Sequence, residues 1–147
     1  MHQRHAYAIV ASQFNPEYVK GLVDHATKEL DLLSPGATVT TYEVPGAFEI
    51  PLVVQEVAAR GGVEAIIALG VIIRGETEHA NLIGTAVTHS LLDAGLRYRL
   101  PVVHEVLLLD NEEQARARTL GSELNRGTEA ARVAVTMAQV MADLKPR

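Results

Sequence analysis

The sequence predicts an α/β fold, a three-layer αβα sandwich built on a four-stranded parallel sheet. Apolar segments of strand length alternate with amphipathic segments of helix length, which is the pattern of repeated βαβ units. The segment Ala65–Ile73 is almost wholly apolar, as expected for a parallel strand that helices cover on both faces. With 147 residues, 48% of them apolar, the chain has the size of a single domain, 1–147, with its own core.

Three more strands are expected beside Ala65–Ile73. Tyr7–Ser12 is short and apolar, Thr38–Tyr42 is rich in β-branched residues, and Val102–Leu109 follows a proline. Because the segments between them are helical, right-handed crossovers should join parallel strands. The expected architecture is flavodoxin-like, a doubly wound sheet whose ligands bind beyond the carboxyl ends of the strands.

The first and last helices are predicted from apolar stripes at helical spacing. Asn15 is the expected N-cap of the first helix, with Pro16 in its first turn and Ser34-Pro35-Gly36 at its end. The stripe of the first helix is Val19, Leu22, Val23, Ala26, Leu30 and Leu33. The stripe of the last helix, Gly127–Leu144, is Ala130, Val133, Ala134, Met137, Met141 and Leu144.

Three further helices complete the predicted layers. Ile50–Arg60 ends at a glycine pair, and Ala80–Ala94 carries a further apolar stripe. Asp110 and Glu113 make a capping-box-like start for a short polar helix that ends at Gly121.

Composition and charge exclude several classes of function. Acidic residues outnumber basic ones 18 to 13, whereas a nucleic-acid binder needs a surplus of Lys and Arg. The absence of cysteine excludes disulfides, thiolate nucleophiles and Cys-bound zinc. No apolar run reaches the roughly 18 residues of a membrane span, and Met1–His5 has no signal-peptide pattern. We expect a soluble, cytoplasmic protein with no nucleic-acid or membrane partner.

Common cofactor and catalytic motifs are absent as well. No Gly-x-Gly-x-x-Gly follows the first strand, and the chain has neither a P-loop nor a Gly-x-Ser-x-Gly elbow. His79 and His89 lie ten residues apart on different faces of one helix, so a metal site is not expected.

The loop Arg74–His79 is the first candidate site, because it joins a buried strand to a helix N-terminus. Free N–H groups and the positive end of the helix dipole favour an anion there. Gly75 permits a close turn, Thr77 can offer a hydroxyl and an amide to a phosphate, and His79 can move protons. The alternative is an ordinary turn with Thr77 as N-cap and a structural histidine.

The turn at Gly46–Glu49 is the second candidate. Ala47 is small enough to let a flat ring approach, Phe48 can stack on it, and Glu49 can accept hydrogen bonds from hydroxyl or N–H groups. Phe14, the only other phenylalanine, also falls at a strand end, so two aromatics near one rim indicate a pocket for a planar heterocycle. The alternative is that Phe48 is a core residue and Glu49 a charge at a helix N-terminus.

These segments make the chain resemble the lumazine synthases from Ile9 to about Leu144. The strongest matches are Val44–Pro51 and Gly70–His79. Agreement in order and spacing extends to Phe14-Asn15, to Glu113-Gln114-Ala115 with Arg118, and to Asn125-Arg126-Gly127 with Glu129-Ala130-Ala131.

The resemblance implies an enzyme of riboflavin biosynthesis that uses no metal or organic cofactor. Such enzymes condense 5-amino-6-(D-ribitylamino)uracil with 3,4-dihydroxy-2-butanone 4-phosphate, giving 6,7-dimethyl-8-ribityllumazine, phosphate and water. The resemblance also implies a homo-oligomer, a pentamer with active sites at its subunit interfaces.

The resemblance further implies a role for individual residues. His79 would transfer protons during the reaction. Glu76 and Thr77, beside Gly75, would hold the phosphate together with Arg118 from a neighbouring subunit. The residues that would bind the pyrimidine and its ribityl chain are Phe14, Asn15, Ala47, Phe48, Glu49, Val71, Ile72, Ile73 and His104.

Three positions and one turn depart from the pattern of the family. Ala80 and Asn81 follow the histidine where an aromatic residue and an acid are usual, so a carboxylate partner for His79 is lost there. His104 replaces a phenylalanine that comes from the adjacent subunit to cover the ring. The turn Gly121–Arg126 replaces a glycine- and lysine-rich turn that is associated with larger shells, so the pentamer is expected and a cage is left open.

Two alternatives remain at this stage. The chain could be a non-catalytic relative that binds a flavin or lumazine, or that forms a shell. It could also be an enzyme of the same fold and pathway that makes riboflavin from lumazine.

Overall fold

The computed structural model describes residues 4–75 and 78–146, and the fold below is that of these ranges. Strands and helices alternate along them, and a 3₁₀ turn at Ala47–Glu49 precedes the second helix. The elements are β1 (Ala6–Ser12), α1 (Pro16–Leu33), β2 (Thr38–Val44), α2 (Ile50–Arg60), β3 (Ala65–Ile73), α3 (His79–Tyr98), β4 (Val102–Leu109), α4 (Glu112–Thr119) and α5 (Arg126–Leu144).

The four strands form one parallel sheet in the order β2–β1–β3–β4, which confirms the predicted α/β class. The central strand β3 is buried from Ala65 to Val71, because helices cover both of its faces. Its last two residues, Ile72 and Ile73, are half-buried and emerge at the carboxyl edge of the sheet.

The helices divide into two layers with separate hydrophobic cores. Ile9 and Ile67 of the sheet belong to the core beneath α1 and α5, whereas Val10 and Ile66 belong to the core beneath α2 and α3. Successive strand residues therefore alternate between the two layers, as a pleated strand requires. The three-layer arrangement is the predicted one.

At the starts of α1 and α4, the predicted capping hydrogen bonds are wrong. Asn15 occupies the N-cap position of α1, but its backbone is left-handed, with φ of 54°, and its side chain makes no capping bond. Helix α4 is capped by Asn111 instead of Asp110, since Asn111 Oδ1 accepts from the Gln114 N–H at 2.9 Å. Gln114 Oε1 in turn accepts from the Asp110 N–H at 3.0 Å, one residue before the cap, so the helix starts one residue later than predicted and the bonds do not close a reciprocal box.

Parts of the predicted apolar stripes are exposed. Leu33 is 45% exposed at the end of α1, and Val133 and Met137 of α5 border an apolar groove with Leu92 and Leu96 of α3. Helical spacing reveals which residues share a face, but not where the sheet beneath that face ends. Val133 and Met137 border a groove that Val102 and Val103 of the edge strand β4 also line.

Some boundaries also differ from the predicted ones. Helix α3 begins at His79 and continues to Tyr98, where Arg99 ends it with a left-handed φ of 52°. Strand β2 continues to Val44, and α4 already ends at Thr119. None of the helices in the described ranges combines the length and hydropathy that a bilayer crossing demands.

Candidate active site

A cleft of about 410 Å³ opens at the carboxyl end of the sheet, beside the loops that follow β1, β2 and β3. This is where a doubly wound sheet is expected to bind its ligand. The cleft is lined by ten of the residues singled out from the sequence, namely Phe14, Asn15, Ala47, Phe48, Glu49, Val71, Ile72, Ile73, Gly75 and His79.

Phe14 and Phe48 are the two large aromatic residues of the cleft, and they are 69% and 63% exposed. Phe48 is therefore not a core residue, which removes the structural alternative for it. The Gly46 turn allows Phe14 to lie close, because a Cβ at Gly46 would come within 2.9 Å of the Phe14 ring. Two exposed rings beside an open cleft offer apolar surface to a flat ligand.

The Glu49 carboxylate is held in place by the turn that precedes it. Glu49 Oε1 accepts from the Gly46 N–H at 3.0 Å, and the Glu49 N–H donates to the Gly46 carbonyl at 3.1 Å. Oε2 accepts no hydrogen bond from the part of the chain that the structure describes. One oxygen thus fixes the carboxylate, and the other is available to a hydroxyl or N–H group of a ligand.

Asn15 joins two of the loops that form the cleft. Its Nδ2 donates a 2.7 Å hydrogen bond to the Val71 carbonyl, on the strand β3. The left-handed backbone of Asn15 aims its side chain at β3 instead of at the start of α1. Asparagine tolerates this backbone conformation better than most residues.

His79 is the first residue of α3 and is exposed at the wall of the cleft. Ile83 lines the same wall one helical turn later. Gly75 lines the cleft at the other end of the loop. Glu76 and Thr77, which were predicted to hold a phosphate, lie outside the described residues, and the N-cap position of α3 is Glu78.

Arg74 fastens the start of this loop to the neighbouring strand. Its N–H donates to the Leu109 carbonyl at 2.8 Å, and its guanidinium Nη1 lies 3.5 Å from Asp110 Oδ1. Because both side chains are about half exposed, this ion pair orients the loop more than it stabilises the fold.

Arg118 and His104 do not line the cleft of their own chain. Arg118 borders a polar cleft with Arg126 and Arg132 around the start of α5. His104 lies on β4 in another cleft, where Thr88 of α3 is its hydrogen-bond partner. Within one chain, the structure brings neither residue to His79.

Glu105 is a half-buried carboxylate that the sequence analysis missed. Its side chain is only 12% exposed, and Glu105 Oε2 lies 3.8 Å from Nε of Arg126, whose Nη1 is 2.6 Å from Glu129 Oε2. Burial raises the pKa of Glu105 to about 7; Arg126 opposes this rise and Glu129 adds to it. The sequence signal that could have identified Glu105 was a single carboxylate within an apolar strand.

Two other residues of the cleft, Ala80 and Ile83, were also missed as ligand-binding candidates. Ile83 could have been found from its four-residue spacing after His79, which places both on one helix face. Among the described residues, no three His, Asp or Glu side chains lie close enough together to hold a metal ion.

The chain is similar to known proteins over most of its length. The family model for 6,7-dimethyl-8-ribityllumazine synthase matches residues 4–142. Proteins with this name from Burkholderia vietnamiensis and Burkholderia multivorans are 43% and 41% identical to it over 133 residues. Those alignments cover 90% of this chain and 76% and 75% of the two relatives. The chain therefore belongs to the family of 6,7-dimethyl-8-ribityllumazine synthases, enzymes of riboflavin biosynthesis.

Proposed function

We propose that this chain condenses 5-amino-6-(D-ribitylamino)uracil with 3,4-dihydroxy-2-butanone 4-phosphate to give 6,7-dimethyl-8-ribityllumazine, phosphate and water. The observation that carries the proposal is the cleft itself. Loops after three parallel strands bring two exposed aromatics, a fixed carboxylate and a histidine to one cavity of about 410 Å³. The family match supports the same reaction.

The pyrimidine would lie between Phe14 and Phe48. Both side chains are exposed, and both line the same cleft. Val71, Ile72 and Ile73 at the end of β3 would contact the edge of the ring. The ribityl chain would extend over Ala47 toward Glu49, whose free carboxylate oxygen can accept from its hydroxyl groups. Asn15 contributes by holding the first loop against β3.

The phosphate would bind at the loop that begins with Gly75, where Glu76 and Thr77 follow in the sequence. Backbone N–H groups before α3 and the positive end of its dipole favour an anion there. Arg118 of a neighbouring subunit would supply the positive charge.

His79 would move protons in three steps. The substrate amine is already a nucleophile, so it can attack the ketone if the two are held together. Imine formation releases water, elimination of phosphate needs a proton removed from carbon, and ring closure releases water again. An imidazole at the wall of the cleft can remove and return each proton.

Members of this family are oligomers that act on small molecules. We propose that this chain forms a pentamer in which Arg118 and His104 of one subunit enter the cleft of the next. Two features support this arrangement. Both side chains lie outside the cleft of their own chain, and the apolar groove between α3 and α5 includes the exposed residues Leu92, Leu96 and Val133.

The purified protein should form 6,7-dimethyl-8-ribityllumazine from the two substrates faster than the spontaneous reaction, as followed by absorbance and fluorescence. Incubation with lumazine alone should give no riboflavin. Absence of acceleration between pH 6 and 9, in protein whose light scattering shows an intact oligomer, would contradict the proposed function.

A further inference from the structure

The hydrogen bonds around His104 determine which of its nitrogens carries the proton. Val106 N–H can only donate, and it points at His104 Nδ1 from 3.1 Å, so Nδ1 carries no hydrogen. In the neutral ring the proton is therefore on Nε2, which lies 2.8 Å from Thr88 Oγ1. Thr88 accepts this bond and donates its own hydroxyl proton to the Gly84 carbonyl at 2.7 Å.

This chain of bonds has only one polarity, because it begins at an N–H group and ends at a carbonyl. Protonation of His104 would place a second hydrogen against the Val106 N–H and break that bond. Desolvation acts in the same direction and lowers the pKa of His104 below its usual value. The imidazole is therefore held uncharged.

Both ring nitrogens are occupied, yet His104 remains exposed. What the ring can offer to a ligand is its flat surface and its C–H edge, as a phenylalanine would. Val106 and Leu108, on the same side of β4, border the same cleft as His104 and Thr88 and add apolar surface.

We propose that Thr88 is a positioning residue for substrate binding: it fixes His104 as a neutral aromatic surface that covers the pyrimidine in the adjacent subunit. The proposal rests on the proposed function and deepens it. His104 then contributes contact area to the bound ring and takes no part in proton transfer. Thr88 acts only through His104 and does not touch the substrate.

The substitution Thr88→Val keeps the shape of the side chain and removes both hydrogen bonds. We expect the KM for the pyrimidine substrate to rise about two- to tenfold, the range of one net hydrogen bond, with kcat unchanged. Thr88→Ser should restore the wild-type KM. Thr85→Val is the matched control, since Thr85 lies on the same helix and lines the same cleft without a side-chain hydrogen bond to a described residue.

A double substitution tests whether Thr88 acts through the imidazole. In a His104→Phe background, Thr88→Val should no longer change the KM, because no ring nitrogen remains to be held. An equal rise of KM in both backgrounds would overturn the positioning role, as would a loss of kcat with unchanged KM.

The tautomer can be measured without any assay of activity. In protein with ¹³C-labelled histidine, the Cδ2 resonance that disappears in His104→Phe should report the neutral Nε2–H form at pH 7 to 8. In Thr88→Val it should shift toward a mixture of tautomers. A charged or Nδ1–H ring in the wild type would overturn the inference about His104. Failure to form lumazine would instead refute the proposed function.

Discussion

The side-chain amide of Asn15 donates a 2.7 Å hydrogen bond to the carbonyl oxygen of Val71. This bond links the loop after β1 to the carboxyl end of β3. Phe14 immediately precedes Asn15 in that loop. The left-handed backbone of Asn15 is what turns its side chain toward β3. The position of one aromatic wall of the cleft is thus tied to the strand that forms its floor.

Asn15→Ala should lower the free energy of unfolding by about 2 kcal/mol, one part from the lost hydrogen bond and one from the left-handed backbone. Asn15→Gly should lower it by about half as much, since glycine adopts this backbone freely. Thermal denaturation of the oligomer measures both. Equal loss in the two variants would show that the backbone conformation contributes nothing.

Gly46→Ala should weaken binding of the pyrimidine without unfolding the chain. The backbone of Gly46, with φ of −137°, suits alanine, but the new methyl would lie 2.9 Å from the Phe14 ring and 3.1 Å from Glu49 Oε1. We expect the KM of this substrate to rise about tenfold, because Phe14, proposed to contact the pyrimidine, and Glu49, proposed to bind the ribityl chain, would both shift. Gly84→Ala is the control, since its methyl meets only Leu108 at 3.6 Å. An unchanged KM would show that Phe14 does not contribute to substrate binding.

His79→Gln should reduce kcat by about a hundredfold, the usual contribution of a positioned acid–base group. The oligomer and its Tm should change little, because the side chain is exposed. His25→Gln, in α1, is the control, and it should leave kcat unaltered. A His79→Gln enzyme with wild-type turnover would remove this residue from the mechanism.

Arg118→Gln and His79→Gln should each be nearly inactive, yet the two should complement each other. If Arg118 enters the cleft of the next subunit, a refolded equal mixture forms sites that combine an intact His79 with an intact neighbour. About a quarter of the sites are then complete, so about a quarter of the wild-type rate should return. Activity no higher than the sum of the two variants would place both residues in one chain.

The stability of the protein should depend on pH through Glu105. Its pKa is raised from 4.5 to about 7 in the folded chain, so the folded state holds this proton where the unfolded state has lost it. Its stabilising contribution is therefore complete below about pH 4.5 and is lost as the pH rises through 7. The loss is on the order of 3 kcal/mol.

Calorimetry at pH 5.5 and pH 8 measures this effect. The fall in Tm between the two values should be smaller in Glu105→Gln than in the wild type, because glutamine does not titrate. Glu123→Gln, an exposed residue of the neighbouring cleft, should show the wild-type fall. An equal fall in Tm between the two pH values in Glu105→Gln and the wild type would contradict the raised pKa of Glu105.

Much of this molecule could be predicted from sequence, because its elements follow local rules. Ala65–Ile73 could be recognised as a buried strand from composition alone, and the carboxyl ends of parallel strands must share one edge of the sheet. For this reason Phe14, Phe48 and His79, which are far apart in the chain, were predicted beside one cleft. The side-chain types then indicated an aromatic ligand and proton transfer.

Other features were decided only by tertiary structure, because they depend on distances between segments remote in sequence. Asn15 was predicted to cap its own helix, but its amide bonds to Val71, 56 residues away. The tautomer of His104 depends on Thr88 in another element, and the pKa of Glu105 depends on burial against α5. Periodicity also could not show where the sheet ends: Val133 and Met137 belong to the predicted apolar stripe of α5, yet they are 40% and 37% exposed. Local pattern determines which face of an element is apolar, whereas packing determines what that face meets.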